Sequence, residues 1–206
     1  MKRVIAYVDG FNLYFGLKEK GWRQFYWLNI QLLVQNLLKS GQQLIVTKYF
    51  TARIIGSPDK EKRQSTFIEA LETLSDFEIL YGKYQLNPRY CQNCGFQDKV
   101  PNEKMTDVNI AVEMFSDAFK DKFDVALLVS ADSDVTPPVR SIKQMFPHKY
   151  IVVAFPPKRY STELTNVADA RLHINRAILA RSVFPDKIKK ADGFVLQCPA
   201  TWKMLI

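Results

Sequence analysis

The sequence predicts one α/β domain, a three-layer α/β/α sandwich around a mostly parallel sheet, and three observations carry that prediction. Short unbroken apolar runs recur along the chain, as expected of strands buried on both faces. Segments with apolar residues at helical spacing fill the gaps between them. With 206 residues, 47% of them hydrophobic, the chain can bury one sizeable core.

Taken in order, the first run is Val-Ile-Ala-Tyr-Val at residues 4–8. A second lies near 43–54, a third at 77–84, a fourth at 123–129 and a fifth at 150–155. Between them, Ile30, Leu33, Val34, Leu37 and Leu38 predict a helix. Phe67, Leu71 and Leu74 mark a second helix, and Val108, Ala111, Phe115 and Ala118 form a stripe on a third. Val135, Val139, Ile142 and Phe146 repeat the pattern on a fourth. Residues 85–104 read as one long polar insertion, and the stretch from Gly193 as one more strand and a docked tail anchored by Trp202. The predicted division is a domain over residues 1–180 and a C-terminal extension over 181–206 packed on it.

Lys and Arg total 29 against 21 Asp and Glu, a formal net charge of +8. That balance suits a polyanionic partner such as RNA or DNA, although many basic proteins bind no nucleic acid. No stretch approaches the run of about 18 apolar residues that a membrane span needs. The first apolar run follows only Met1, Lys2 and Arg3 and ends at Asp9, unlike a secretory signal. Three cysteines suit a reducing compartment better than a disulfide scaffold. A cytoplasmic protein is the expectation.

The chemistry is expected from carboxylates. In a parallel sheet, ligands gather beyond the carboxyl ends of the strands where strand order reverses. Asp9 ends the first strand, and Asp132 and Asp134 follow the fourth after Ser130 and Ala131. Asp107 lies in the first turn of the helix feeding that strand, behind Thr106 as a plausible cap. Each acid also has a purely structural reading: the helix dipole favours Asp107, and Asp132 or Ser133 can cap the next helix. Converging without a cation, four carboxylates would repel one another and become harder to ionise. Mg²⁺ or Mn²⁺ would remove that penalty, and such an ion can activate water against a phosphodiester. Asn12, after Gly10, either orients Asp9 and a phosphate or caps a helix. No dinucleotide fingerprint or Walker motif is present.

Four segments together carry a family likeness: "VIAYVDGFNLYFGL", "EKMTDVNIAVEMF", "LLVSADSDVTPPVRSIK" and "NVADARLHI". In that order and spacing the chain resembles the NYN domain, a branch of the PIN-like nuclease superfamily that includes LabA-like proteins. The resemblance covers roughly residues 3–180. It implies a PIN-like sandwich and an acidic centre that, in active relatives, cleaves RNA or sometimes DNA with Mg²⁺ or Mn²⁺. Carried over residue by residue, it puts the metal centre on Asp9, Asp107, Asp132 and Asp134, with Asn12 and Ser130 beside them. Glu103 and Lys104 match an acid–lysine pair before the helix, with Glu103 near the metal and Lys104 on phosphate. Asp169 matches a late acidic position that can equally cap or pair with Arg171. Where relatives have Gly-Val or Gly-Thr after the lysine, this chain has Met105-Thr106.

Cys91 and Cys94 have zinc-knuckle spacing, but a closed Zn²⁺ site needs four ligands and Cys198 is the only other cysteine. A second chain or a histidine would have to complete it; free loop thiols are the plain alternative. Lys158 and Arg159, in "FPPKRYS" off the fifth strand, are candidate phosphate contacts or a solvated loop. Trp22, Phe25, Tyr26 and Trp27 can stack bases, form an interface or pack in the core. The expectation is a metal-dependent nuclease, RNA before DNA, with a possible homodimer. The alternatives are a non-catalytic nucleic-acid or nucleotide-binding or regulatory module, and a phosphatase of small esters.

Overall fold

The structure is a computed structural model that describes residues 1–203, without the side chains of residues 100 and 101. The last three residues of the predicted C-terminal extension lie outside the described residues. The chain begins with β1 (Lys2–Asp9), α1 (Gly10–Glu19), α2 (Ile30–Leu37), β2 (Gln42–Thr51), α3 (Pro58–Leu71) and β3 (Phe77–Tyr81). A hairpin follows, β4 (Lys83–Tyr90) with β5 (Gln97–Lys104). The chain then continues through α4 (Thr106–Phe119), β6 (Val125–Val129), α5 (Thr136–Met145), β7 (Tyr150–Phe155), α6 (Thr162–Val167) and β8 (Ala170–His173). Last come α7 (Arg176–Ala180) and a small ribbon of β9 (Lys187–Lys189) and β10 (Val195–Gln197).

Six strands form the central sheet in the order β3-β2-β1-β6-β7-β8, and every neighbouring pair is parallel. Because β2 and β6 flank β1 on opposite sides, the direction of progress across the sheet reverses there. A crevice therefore opens beyond the carboxyl ends of β1 and β6. Alternation along each strand sorts the core into two layers. Val4, Ala6 and Val8 join Leu13 and Leu17 of α1 and the buried faces of α2 and α3. Ile5 and Tyr7 join Ile110 and Met114 of α4 and Val139 and Ile142 of α5. The same parity carries Asp9 and Ser130 toward the α4 side of the sheet.

Three expectations need correction. The polar insertion is a two-stranded ribbon running from Lys83↔Lys104 to Tyr90↔Gln97; Pro88 and the lack of apolar alternation hid both strands. A sixth sheet strand, β8, pairs with β7; at four residues it is too short to show a period. On α4 the buried positions are Thr106, Ile110, Met114, Asp117 and Ala118, whereas Val108 is 60% exposed. Of the predicted stripe Ala118 is buried and Phe115 packs partly against the core, so periodicity found the inner face at its C-terminal end and missed Ile110 and Met114. The core reading of the aromatic cluster after α1 holds: Phe25 and Trp27 are buried, and Trp22 and Tyr26 pack against the same core. Trp202 rests on Tyr26, Trp27 and Phe67, as its reading as an anchor requires.

Candidate functional site

Asp9 is the last residue of β1 and the N-cap of α1, so the strand delivers its carboxylate straight to the crevice. The Asn12 backbone N–H donates to Asp9 Oδ1 at 2.9 Å, and the Ser130 hydroxyl donates to Asp9 Oδ2 at 2.9 Å. The cap is thus Asp9, not Asn12. Asn12 instead uses its side-chain oxygen to accept from the Ala131 N–H at 3.1 Å. These two bonds stitch the β1–α1 turn to the β6 turn. Gly10 makes the turn possible: a Cβ there would stand 2.5 Å from Tyr49 Oη and 2.8 Å from the Phe50 carbonyl.

Beyond β6, Ser130 Oγ also accepts from the Asp132 N–H at 3.1 Å, and Asp132 Oδ1 caps the following turn by accepting from the Asp134 N–H at 3.0 Å. Asp132 is half-buried and Asp134 exposed. Across the crevice, Asp107 sits half-buried in the first turn of α4. Its helix does not start with a Thr106 cap. Met105 takes the cap position at φ 76°, and Glu103 accepts from both the Thr106 N–H, at 3.0 Å, and the Thr106 hydroxyl. Glu103 therefore fixes the entry of the helix that carries Asp107.

The electrostatics show that these acids face one another. Burial pushes the Asp9 carboxyl up to about 7; the Asn12 and Ser130 hydrogen bonds oppose this, and the charges of Asp107 and Asp132 add to it. Asp107 is pushed up to about 6, first by burial and then by Asp132, Glu103 and Asp134. Carboxyls perturbed in this way make the crevice beyond the strand ends a candidate functional site. Yet among the described residues no three His, Cys, Asp or Glu side chains converge into a group already spaced for a metal ion.

The remaining predicted residues divide. Lys104 is exposed at the end of β5, two residues before α4. Lys158 and Arg159 lie in the loop leaving β7, at the same sheet edge as the acids. Arg159 pairs with Glu19 of α1 at 3.3 Å, and Gly16 lets α1 approach this loop, since a Cβ there would meet the Pro157 carbonyl at 2.5 Å. Asp169 is not brought to the site. It precedes β8 at the opposite sheet edge, where it accepts from Lys143 Nζ at 2.5 Å and from the Ile151 N–H at 2.7 Å. Its partner is Lys143, not Arg171. Cys91 and Cys94 are exposed at the hairpin tip, about 20 Å along β4 from its base. Cys198 is buried elsewhere, and no third ligand joins the pair among the described residues.

The aromatic residues beside Asp9 were not singled out in the sequence. Phe11 and Phe15 stack along α1 with centroids 6.2 Å apart, and Tyr84 of β4 stacks on Phe11 at 6.4 Å. The signal was present in Phe11, Tyr14 and Phe15 at i, i+3 and i+4, off the buried Leu13–Leu17 face.

The NYN domain profile matches residues 3–175. This chain belongs to the NYN domain family. Its NYN fold is a member of the PIN-like nuclease superfamily, as the motif resemblance implied, with helices on both faces of the six-stranded sheet. Among curated proteins it is similar to 6-hydroxy-3-succinoylpyridine 3-monooxygenase HspA of Pseudomonas putida. The two are 28% identical over 180 residues, covering 68% of this chain and 55% of that protein. The chain therefore spans about half the length of that relative. Among solved structures this NYN domain is similar to a protein of unknown function from Vibrio parahaemolyticus. The TM-score is 0.58 at 21% identity, covering 89% of this chain and 96% of that one. That likeness concerns the fold. Among the described residues no helix is long and apolar enough to cross a membrane.

Proposed function

We propose that this NYN domain is a metal-dependent nuclease that hydrolyses phosphodiester bonds, RNA in preference to DNA, in the cytoplasm. The observation that carries the reading is Asp9, buried at the switch point, held by Ser130 and Asn12, and pushed up to about 7 beside Asp107 and Asp132. The same reading treats residues 1–180 as the NYN unit and the chain from 181 as an extension clasped through Trp202.

The donor set fits a hard divalent cation in kind. Asp9, Asp107, Asp132 and Asp134 offer only oxygen, which suits Mg²⁺ or Mn²⁺, and their mutual repulsion is the charge such an ion offsets. A bound ion there would supply Lewis acidity toward water and a phosphodiester oxygen. The rest falls to the chain. Ser130 and the Asn12 N–H hold the Asp9 carboxylate in one orientation, and the Asn12 side chain locks the Ala131 backbone that presents Asp132. Glu103 sets the first turn of α4 and so the height of Asp107. Lys104, Lys158 and Arg159 supply positive charge around the crevice for the phosphate backbone. The hairpin thiols offer two of the four ligands a structural Zn²⁺ takes, so zinc there would need a second copy of the chain.

The test is cleavage of labelled single-stranded RNA and DNA with Mn²⁺, Mg²⁺ or EDTA, by wild type, Asp9→Asn and Asp132→Asn. Chelator-sensitive cleavage lost in both variants supports the reading. Binding without cleavage under any metal replaces it with a non-catalytic module. A second reading comes from the Pseudomonas putida relative, whose name describes a monooxygenase acting on a hydroxypyridine. The stacked rings beside Asn12 favour it, since they accept a small flat heterocycle as readily as a base. It would show as oxygen uptake with a nicotinamide reductant and a hydroxypyridine, and no action on polymers.

A further inference from the structure

Three rings form a nearly parallel row on α1 and β4, on the helix that Asp9 caps. Tyr84 and Phe11 are inclined by 20° and Phe11 and Phe15 by 24°, with offset centroids in both pairs. The middle ring, Phe11, sits in the first turn of α1 between Asp9, which caps that helix, and Asn12, so the row is built on the same helix as the site. The outer end is open: Phe15 is 43% exposed and its neighbour Tyr14 is 39% exposed. Neither belongs to the buried face of α1, which is Gly10, Leu13, Gly16 and Leu17. A single exposed ring needs no explanation. An ordered row ending in an open ring does, and here a cation joins it: Lys18 Nζ lies 5.8 Å from the Phe15 centroid.

We infer that Phe15, supported by Phe11 and Tyr84 and flanked by Lys18, is a stacking subsite for an unpaired nucleobase of the strand whose backbone enters the acidic crevice. This rests on the nuclease reading for the crevice itself. Stacking on an aromatic face is sequence-tolerant because every base has a π-face, and a nearby cation meets the adjoining phosphate. In a duplex both faces of an internal base are already covered, so the row selects for single strands. The positive charge of Lys18 favours a nucleic acid over an acid-poor apolar peptide on the same face.

The test measures binding of a fluorescein-labelled single-stranded oligoribonucleotide, and of the same strand in a duplex, in EDTA so that nothing is cut. Wild type is compared with Phe15→Ala, Phe15→Tyr, Lys18→Ala and Phe119→Ala, the last an exposed ring on α4 in the opposite helical layer. Wild type is expected to prefer the single strand. Phe15→Ala should lose roughly 5- to 150-fold on it, the span of one stacked base, while Phe15→Tyr and Phe119→Ala keep wild-type binding. Lys18→Ala should lose a few-fold on the same strand. Phe15→Ala binding the single strand as wild type does overturns the inference, as does an equal loss on duplex or wild type binding neither. Cleavage by wild type in Mn²⁺ is scored separately. Ring-dependent binding without cleavage removes the nuclease reading alone, and cleavage without ring dependence removes the stacking subsite alone.

Discussion

Ser130 and Asp9, 121 residues apart in sequence, share one buried hydrogen bond of 2.9 Å between the serine hydroxyl and Asp9 Oδ2. The same oxygen of Ser130 accepts from the Asp132 N–H, so one side chain ties the Asp9 carboxylate to the backbone that presents Asp132 across the β1–β6 junction. Ser130→Ala therefore strips a partner from a buried carboxylate and from a backbone donor at once. Its expected cost is about 1–3 kcal/mol in urea denaturation. It should also raise the Asp9 pKa further, because this bond works against the upward push of burial. A variant as stable as wild type would mean the hydroxyl is replaceable by water.

Asp9 gives a pH signature whose sign can be worked out. Its carboxyl titrates at about 7 in the folded chain, mainly through burial. The unfolded chain returns it to about 4. Between those values the folded state holds the proton and the unfolded state has released it. The contribution to stability is full below about pH 4 and declines as the pH rises toward 7. Asp107, at about 6, acts in the same direction. Asp124 acts oppositely: Arg3 holds it at about 2, so its contribution is present above the unfolded value and lost as the pH falls through the folded one. Asp9→Asn keeps an acceptor for the Asn12 N–H and removes the titration. In EDTA it should match wild type near pH 4 and exceed it near pH 8 by a few kcal/mol, since each tenfold difference in proton affinity between the two states is worth ~1.4 kcal/mol. Equal denaturation midpoints at the two pH values would contradict the buried carboxyl.

The parts of this site differ in how legible they were. Asp9 was readable because it directly follows an apolar run, and Asp132 and Asp134 because they come within five residues of the end of another, which puts all three at strand carboxyl ends. The neighbourhood of β1 and β6 was not readable, since adjacency is decided by packing of layers formed after 115 residues of intervening chain. Asp169 misled because its late "VADA" segment looks like site sequence, while β8 runs parallel to β7 and leaves that acid at the amino end. The hairpin escaped because β4 is only half-buried near its base and exposed toward its tip, and it lacks the apolar alternation that marks a half-buried strand. Phe11 and Phe15 escaped for the converse reason, as a half-buried and an exposed ring on a helix that already had a good buried face.

Lys48 tests the α4 side of the sheet. The side chain is buried, with Nζ 2.6 Å from Glu113 Oε2 and 2.6 Å from Asp117 Oδ2, and Tyr7 also donates to Asp117 at 2.9 Å. Lys48→Met leaves the buried Asp117 carboxylate short of its main cation, an expected loss of roughly 3–5 kcal/mol. Adding Asp117→Leu removes the stranded charge and should restore much of that loss. Urea denaturation of the single and double variants reads the coupling directly, and simple additivity would show that the pair acts independently.

The hairpin tip yields a prediction about thiols. Cys91 and Cys94 are exposed, whereas Cys198 is buried and its thiol is pushed up to about 11, chiefly by burial. Cys91 is further held below its ordinary value by hydrogen bonds from the Cys94 and Asn93 backbone and the Cys94 side chain. A thiolate is the reacting species, so a disulfide reagent such as DTNB should titrate two thiols quickly in the native protein, Cys91 ahead of Cys94, and Cys198 only on unfolding. Cys91→Ser should remove the fastest phase and leave the fold intact, since the tip packs against nothing in the core. Adding Zn²⁺ separates the two fates of the pair. If two copies pool their knuckles, zinc protects the fast thiols at half an equivalent per chain and doubles the mass in solution. If the thiols are independent, they stay reactive and the chain stays as it was, and the zinc reading of this turn ends there.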